Sequence, residues 1–487
     1  MSRRTQFRLL VALTIVWAAW AGWSLLGRAT PYELRVLDDL GAPVASAVAD
    51  VDGNQVGTSG SDGRIQMEWN RSSVILEVSA PGHVAQMLTV TEPPEGVLDV
   101  VIKARVLRGR VVDPGGQAVD SAVVIATPST GKTDGEGQFN IRGAEPGKIA
   151  VEKPAWLPVS FTWDGGPGEV LVELAPFIAR AVHMSGPATG ERLDEFITLA
   201  KTTELNALMV DLKDDRGRVW YNTANAVALE VGAPQNAYNL DAVATAAHNE
   251  DLYLIGRLVV FSDEIAAWAK PSMAVWDSEA DAPYGLNGQF YLDPTDPEAR
   301  QYGLDLAAEA CSMGVDEIQF DYVRFPDTLN EFVRFDAALE EQVRMSTIPL
   351  FLAEAVALLH PMGCAVGADV FGFLTTDVSD GYIGQRWEDV AQVVDVISPM
   401  VYPSHYGADW FGYEVPNDYP GQVVFRALED GMERLPRNVV VRPWLQDFGY
   451  GPSQVKAQIT SAEGFGLGWM LWNELSEVTT DALRAVE

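Results

Sequence analysis

The sequence predicts an α/β protein: a (β/α)8 TIM barrel preceded by two small all-β sandwich domains and an N-terminal hydrophobic segment. Three observations carry this. An apolar run opens the chain. A repeat of about 70 residues follows it. From residue 177 onward, short β-branched or apolar runs alternate with helical stretches, the rhythm of parallel βα units. The boundaries read as 1–28, 32–104, 105–176 and 177–487.

Composition sets the limits. The 487 residues are 47% hydrophobic and 21% charged, which excludes disorder, collagen and coiled coil as the main architecture. Asp and Glu number 68 against 34 Lys and Arg, a net charge of −34. That balance argues against a nucleic-acid partner, since phosphates are bound by clustered Lys and Arg. The five histidines are scattered and Cys311 and Cys364 are the only cysteines, so no zinc pattern or disulfide framework is present and no cofactor is expected. The two cysteines precede neighbouring predicted strands. Two buried thiols are expected in preference to a disulfide, because free Cys packs as a small apolar residue.

In the first segment Arg3, Arg4 and Arg8 precede an apolar run over 9–26. A charged start followed by such a run is an export signal. The run approaches the roughly 17–25 residues of a spanning helix, and an uncleaved anchor is expected. Ala19-Trp20-Ala21 offers a cleavage site as the alternative. Arginines on the N-terminal side keep that end cytoplasmic. The rest of the chain is then extracytoplasmic, anchored through 9–26, or periplasmic or secreted if the segment is cleaved.

In the next two segments, Arg35-Val36-Leu37-Asp38 through Gly41, Val44 and Ser46-Ala47-Val48 matches Arg110-Val111-Val112-Asp113 through Gly116, Val119 and Ser121-Ala122-Val123. Asp62-Gly63-Arg64-Ile65 matches Glu136-Gly137-Gln138-Phe139. Asp62-Gly63 and Asp134-Gly135 are hairpin signals, because Gly accepts positive φ. This pattern resembles the carboxypeptidase regulatory-like (transthyretin-like) domains. The resemblance implies spacers or adhesion modules on exported enzymes, and no chemistry.

The last segment offers eight strands, over 180–185, 207–213, 253–261, 317–323, 365–371, 394–402, 439–445 and 465–472, with helices such as 192–203 and 297–312. In such a barrel the chemistry sits where the strands end. Alternation sorts each strand into axis-facing and helix-facing residues. Apolar Leu208, Val210 and Leu212 face the helices, which turns Met209, Asp211 and Lys213 inward. By the same rule Gln319, Asp321, Gly367, Asp369, Arg442, Trp444, Gln446, Met470, Trp472 and Glu474 face the axis. Inward carboxylates at adjacent strand ends are costly without partners, so several together point to function. Lys213, Arg257, Arg324 and Arg442 are the expected counter-charges.

Paired carboxylates flanked by aromatic rings are what glycoside cleavage needs. The stretches NALMVDLKDDRGRVWY (206–221), FYLDPTDPEAR (290–300), VDEIQFDYVRFP (315–326), VGADVFG (366–372) and ISPMVYPSHY (397–406) resemble the putative glycosyl hydrolase domain family, exported bacterial barrels distantly akin to amylase-like hydrolases. The resemblance implies that Asp321 stands at the amylase-like nucleophile position. Asp369 stands where those enzymes place a Glu acid, and the shorter side chain is a departure. Glu474 is the fallback acid. Asp211 becomes a hydrogen-bonding or electrostatic partner. Lys213, Arg257, Arg324, Arg442, Tyr322, Tyr402, His405, Tyr406, Trp444, Gln446 and Trp472 are expected to meet substrate. The expected activity is hydrolysis of a cell-envelope or extracellular polysaccharide. The alternatives are a non-catalytic glycan-binding or envelope scaffold, and a weaker reading of a divalent cation near Asp211, Asp214 and Asp321.

Overall fold

The computed structural model describes residues 30–486 except 70–72, 93, 95, 437 and 438; the expected anchor over 1–28 lies outside the described residues. The chain forms two compact units, which meet in sequence between Leu174 and Ala175, with 154–157 belonging to the second.

The first unit is all-β, and its sequence repeat is a topological repeat. In the first copy, Arg64–Trp69, Thr30–Asp38 and Val97–Ala104 lie side by side, with a second sheet of Asn54–Thr58, Val48–Val51, Val74–Ser79 and Gln86–Val90. In the second copy, Gln138–Arg142, Val106–Val112 and Glu169–Glu173 occupy the first set of places. Ser129–Lys132, Val123–Ala126, Gly147–Glu152 and Val159–Trp163 occupy the second. Equivalent buried hydroxyls fix both: Ser59 donates to the Val44 carbonyl and accepts from the Ala47 N–H, and Thr133 does the same for Val119 and Ala122. The turn glycine expected at Asp134-Gly135 lies two residues further on. Gly137, like Gly63, has the positive φ (73° and 74°), and a Cβ there would lie within 2.5 Å of a strand carbonyl. Asp134 instead accepts the N–H groups of Glu136 and Gln138.

The second unit is a closed parallel barrel. Its strands are β1 (Arg180–Met184), β2 (Ala207–Lys213), β3 (Tyr253–Val259), β4 (Glu317–Asp321), β5 (Ala365–Phe371), β6 (Val396–Met400), β7 (Val440–Val441 continuing as Trp444–Gln446) and β8 (Trp469–Trp472). They pair in chain order, and β8 pairs with β1 to close the ring. Helices α1 (Gly186–Thr202), α2 (Leu240–His248), α3 (Pro297–Ser312), α4 (Glu341–Leu359), α5 (Trp387–Ala391), α6 (Pro420–Glu433) and α7 (Pro452–Gly464) separate successive strands. Ser185, Asn239 and Asp296 cap α1, α2 and α3 with side-chain oxygens. The α1 helix begins six residues before the expected 192. Gly186 and Gly190 in its first turns serve close approach: a Cβ would lie 2.0 Å from the Trp220 ring and 2.4 Å from the Ala237 carbonyl.

Two separate apolar layers follow from the alternation. Leu208, Val210, Ile318, Phe320, Val366 and Val370 pack outward with the helices. Met209, Trp444 and Met470 pack toward the axis, with Trp472 against them. Cys311 at the end of α3 and Cys364 before β5 are joined in a disulfide, with Cα atoms 6.1 Å apart. This corrects the expectation of two thiols. Strand adjacency, which sequence alone did not pin down closely enough, brings the two positions within bonding reach.

Candidate active site at the barrel mouth

The register of β2, β3 and β4 sets Arg257 between two carboxylates. Asp211 pairs with Arg257 across β2 and β3, and Val259 pairs with Asp321 across β3 and β4. The Arg257 guanidinium donates from Nη1 to Asp211 Oδ1 at 2.8 Å, and from Nε and Nη2 to Asp321 Oδ2 at 2.9 and 2.5 Å. Its other face lies 4.7 Å over the Trp472 ring. Burial alone would favour the neutral guanidine, but Asp321 and Asp211 outweigh it and hold Arg257 charged. Asp321 Oδ1 accepts the Tyr322 N–H at 2.7 Å. Burial would raise the Asp211 carboxyl, yet His183 and Arg257 bring it below the usual range.

Asp369 on the neighbouring strand has the opposite environment. Its Oδ1 accepts from Gln319 Nε2 at 2.7 Å and from Trp444 Nε1 at 2.6 Å, both neutral donors. Its Oδ2 has no hydrogen-bond partner among the described residues. Only 1% of the residue is exposed. Burial pushes this carboxyl well above the usual carboxylate range, and the Asp321 charge pushes it further. Both effects favour the protonated form, and Oδ2 is the oxygen free to carry the proton.

A cavity of about 390 Å³ opens at this mouth. Arg257, Asp321, Tyr322 and Arg324 form its polar side; Tyr402, His405, Tyr406, Trp444 and Trp472 line the rest. Arg324 is held between rings, 4.9 Å over Tyr322 and 4.6 Å over Phe371. The sequence reading missed Phe371 and Phe373 in this wall, the first closing β5 and the second in the turn that follows it. It also missed Gln319 as a partner of Asp369, although its inward phase was legible.

Several expected site residues lie elsewhere. Lys213 is 1% exposed and structural. A register shift after Asp211 pairs Lys213 with Leu258, so it turns to the helix layer. There it forms an ion pair with Asp263 at 2.8 Å and donates to the Val259 and Val260 carbonyls. Arg442 faces the axis as expected but at the wrong height. It pairs with Glu317 at the start of β4, 2.7 Å away, and both side chains are fully buried. Gln446 is buried and ties loops together, accepting from the Ser404 N–H and donating to the Phe448 carbonyl. Asp369 itself lies behind the cavity wall, covered where Trp444 and Gln319 bond it. Asp211 and Glu474 line a second cavity of about 670 Å³, which shares Arg257, Tyr322 and Trp472 with the first. The cation reading finds no support among the described residues, where no group of three or more His, Cys, Asp or Glu side chains is arranged to hold an ion. Asp214 is instead bound by Arg218 at 2.7 Å.

Comparison with known proteins bears on the barrel. None of the curated proteins compared matches the chain. A hypothetical protein from Ruminiclostridium thermocellum ATCC 27405 is 37% identical over 39% of this chain and 97% of its own, with a TM-score of 0.36. The glycoside hydrolase domain of PgaB (BpsB) from Bordetella bronchiseptica is 13% identical over 61% and 95%, with a TM-score of 0.48. The glycoside hydrolase domain of PelA from Pseudomonas aeruginosa is 11% identical over 62% and 97%, with a TM-score of 0.37. The family model described as "putative glycosyl hydrolase domain" matches residues 181–477, from β1 to just beyond β8 and more than half of the chain. The chain belongs to that family.

Proposed function

We propose that the protein is an exported glycoside hydrolase that cleaves a cell-envelope or extracellular polysaccharide at the mouth of the barrel. The observation that carries this is the contrast between two carboxylates on adjacent strands: Asp321 is salt-bridged by Arg257, and Asp369 is buried without a cation, which favours its protonated form. Environments that push paired carboxyl groups apart assign the acid and its partner. In this reading the Asp369 Oδ2 proton passes to the glycosidic oxygen as the bond to the anomeric carbon breaks. Asp321 attacks that carbon or takes a proton from the attacking water. Arg257 fixes Asp321 Oδ2, the Tyr322 N–H fixes Oδ1, and the aromatic wall stacks on the sugar rings. Asp369 must reach the substrate from behind Trp444, so a shift of that ring belongs to the mechanism. Glu474 is exposed on the second cavity and takes no part in the proton transfer.

The two N-terminal β copies, which resemble carboxypeptidase regulatory-like domains, serve here as spacers, and residues 9–26 serve as the membrane anchor. Asp321→Asn and Asp369→Asn assayed for release of reducing ends from wall and exopolysaccharide panels test the mechanism; unchanged activity in both removes it. One observation favours the alternative of a non-catalytic glycan-binding scaffold, namely the covering of Asp369. Saturable binding with no product would establish that alternative.

A further inference from the structure

We propose that Arg324 forms an anion subsite in the first cavity, so that the polysaccharide contains a sugar bearing a carboxylate. This rests on the hydrolase reading for its purpose, but not for its test. Arg324 lines the same cavity as Asp321, and only 6% of the residue is exposed. It was expected as a counter-charge, yet among the described residues no Asp or Glu lies within ion-pair distance of it. Its Nη1 donates to the Phe325 carbonyl at 3.2 Å, and the Tyr291 hydroxyl lies beside the guanidinium. Both of these groups are neutral.

The other charges of this wall are accounted for. Among the described residues Asp321 is the one carboxylate lining it, and both its oxygens are occupied, Oδ2 by Arg257 and Oδ1 by the Tyr322 N–H. Arg257 in turn is held by Asp211 and Asp321. Burial favours the neutral form of His405. The wall thus carries one buried cation that no carboxylate of the described residues answers. A buried charge without an opposite charge is costly, and a bound anion removes that cost.

A second observation is how the guanidinium is held. It lies 4.9 Å over the Tyr322 ring and 4.6 Å over the Phe371 ring. Tyr322 takes a φ of 47°, which a bulky side chain rarely adopts. Gln289 Nε2 donates to its hydroxyl at 2.8 Å and fixes the ring. Strain of this kind collects at ligand clamps, where the surroundings over-determine it. Rings against the guanidinium leave its N–H edge for a ligand, and that fork matches a carboxylate with two parallel bonds. A neutral sugar would leave Arg324 unanswered, and an ammonium sugar would add a like charge. The net charge of −34 opposes an acidic chain only at long range, because salt screens it beyond about 8 Å at physiological ionic strength.

The test is binding of glucuronate, its neutral methyl ester, glucose and acetate to the full chain, read by the fluorescence of Trp410, Trp444 and Trp472 in the cavity wall. The expected result is glucuronate bound at least about tenfold tighter than the ester, glucose or acetate. Arg324→Met should abolish that preference, with circular dichroism checking its fold. Arg324→Lys keeps the charge without the planar fork and should weaken glucuronate while leaving glucose unchanged. Equal affinity for glucuronate and its ester, or a preference that survives in both variants, overturns the proposal. Acetate bound as tightly as glucuronate also overturns it, since the site would then hold any small anion. Because the readout is binding, this outcome is independent of whether Asp321→Asn and Asp369→Asn lose cleavage.

Discussion

Replacing Asp369 by Asn isolates the acid. The carbonyl oxygen of Asn can keep both bonds that Asp369 Oδ1 accepts, from Gln319 Nε2 and Trp444 Nε1. The amide nitrogen takes the place of Oδ2, which has no partner in the native protein either. Two buried unpaired N–H donors replace one O–H, so stability should fall by about 1–3 kcal/mol. What is lost is the proton. General acid catalysis contributes roughly 10²–10⁴-fold, or about 3–5 kcal/mol of barrel-mouth barrier lowering at 1.36 kcal/mol per tenfold. The assay compares release of reducing ends from polysaccharide with hydrolysis of an aryl glycoside whose leaving group departs without protonation. The expected loss is about 10²–10⁴-fold on polysaccharide and small on the aryl glycoside. Because the Asp369 carboxyl is raised, its proton is held below the shifted value and lost as pH rises through it. Native activity on polysaccharide should therefore fall on the alkaline side, and the variant should lack that limb. Equal loss on both substrates, or an unchanged alkaline limb, refutes the assignment.

Three further outcomes follow from the barrel's interior. Lys213→Met leaves Asp263 buried without its cation and should cost about 3–5 kcal/mol in urea unfolding; an unchanged midpoint would show that the ion pair is not a support. Asp447 is pushed up to about 6 by burial, with Thr479 bonds opposing. A raised folded value favours the protonated native state, so its contribution is whole below the unfolded value near 3.9 and is lost as pH rises through about 6. Asp447→Asn keeps the acceptor for the Thr479 N–H and should gain stability over the native chain by up to about 3 kcal/mol near pH 8, with no gain near pH 3, in paired melts. Replacing Cys311 and Cys364 together by Ala opens a loop whose ends are 53 residues apart, a loss of about 4 kcal/mol on the chain-entropy account, checked by unfolding of oxidised and reduced protein.

The fold was legible because barrel strands alternate with period two and each strand carries its own apolar phase. Leu208, Val210, Ile318, Phe320 and Val366 sorted themselves to the helix layer without knowledge of any neighbour. Two kinds of information were missing. A bulge between Asp211 and Lys213 reverses the face of one residue, and apolar Leu212 between them fits either course. Height along the axis is the other. Alternation gives Arg442 its face but not its level, and strand stagger lowers it to Glu317, far from the mouth it was expected to line.

The same limit explains why alternation alone gave Asp321 and Asp369 the same inward face, leaving their different roles to the family resemblance. Both are inward, both stand near strand ends, and the register Phe320 to Ala368 places them on neighbouring strands at matching positions. Their chemistry differs through what faces them across the barrel. Asp321 meets a guanidinium from β3, while Asp369 meets an amide from β4 and an indole from β7. A cation favours the charged form of its partner. Two neutral donors on one oxygen stabilise a carboxylate far less than burial beside Asp321 destabilises it. The division of labour therefore resides in Arg257, Gln319 and Trp444 rather than in the two aspartates. Exchanging either donor set, more than lengthening either carboxylate, is the change that would reassign the acid.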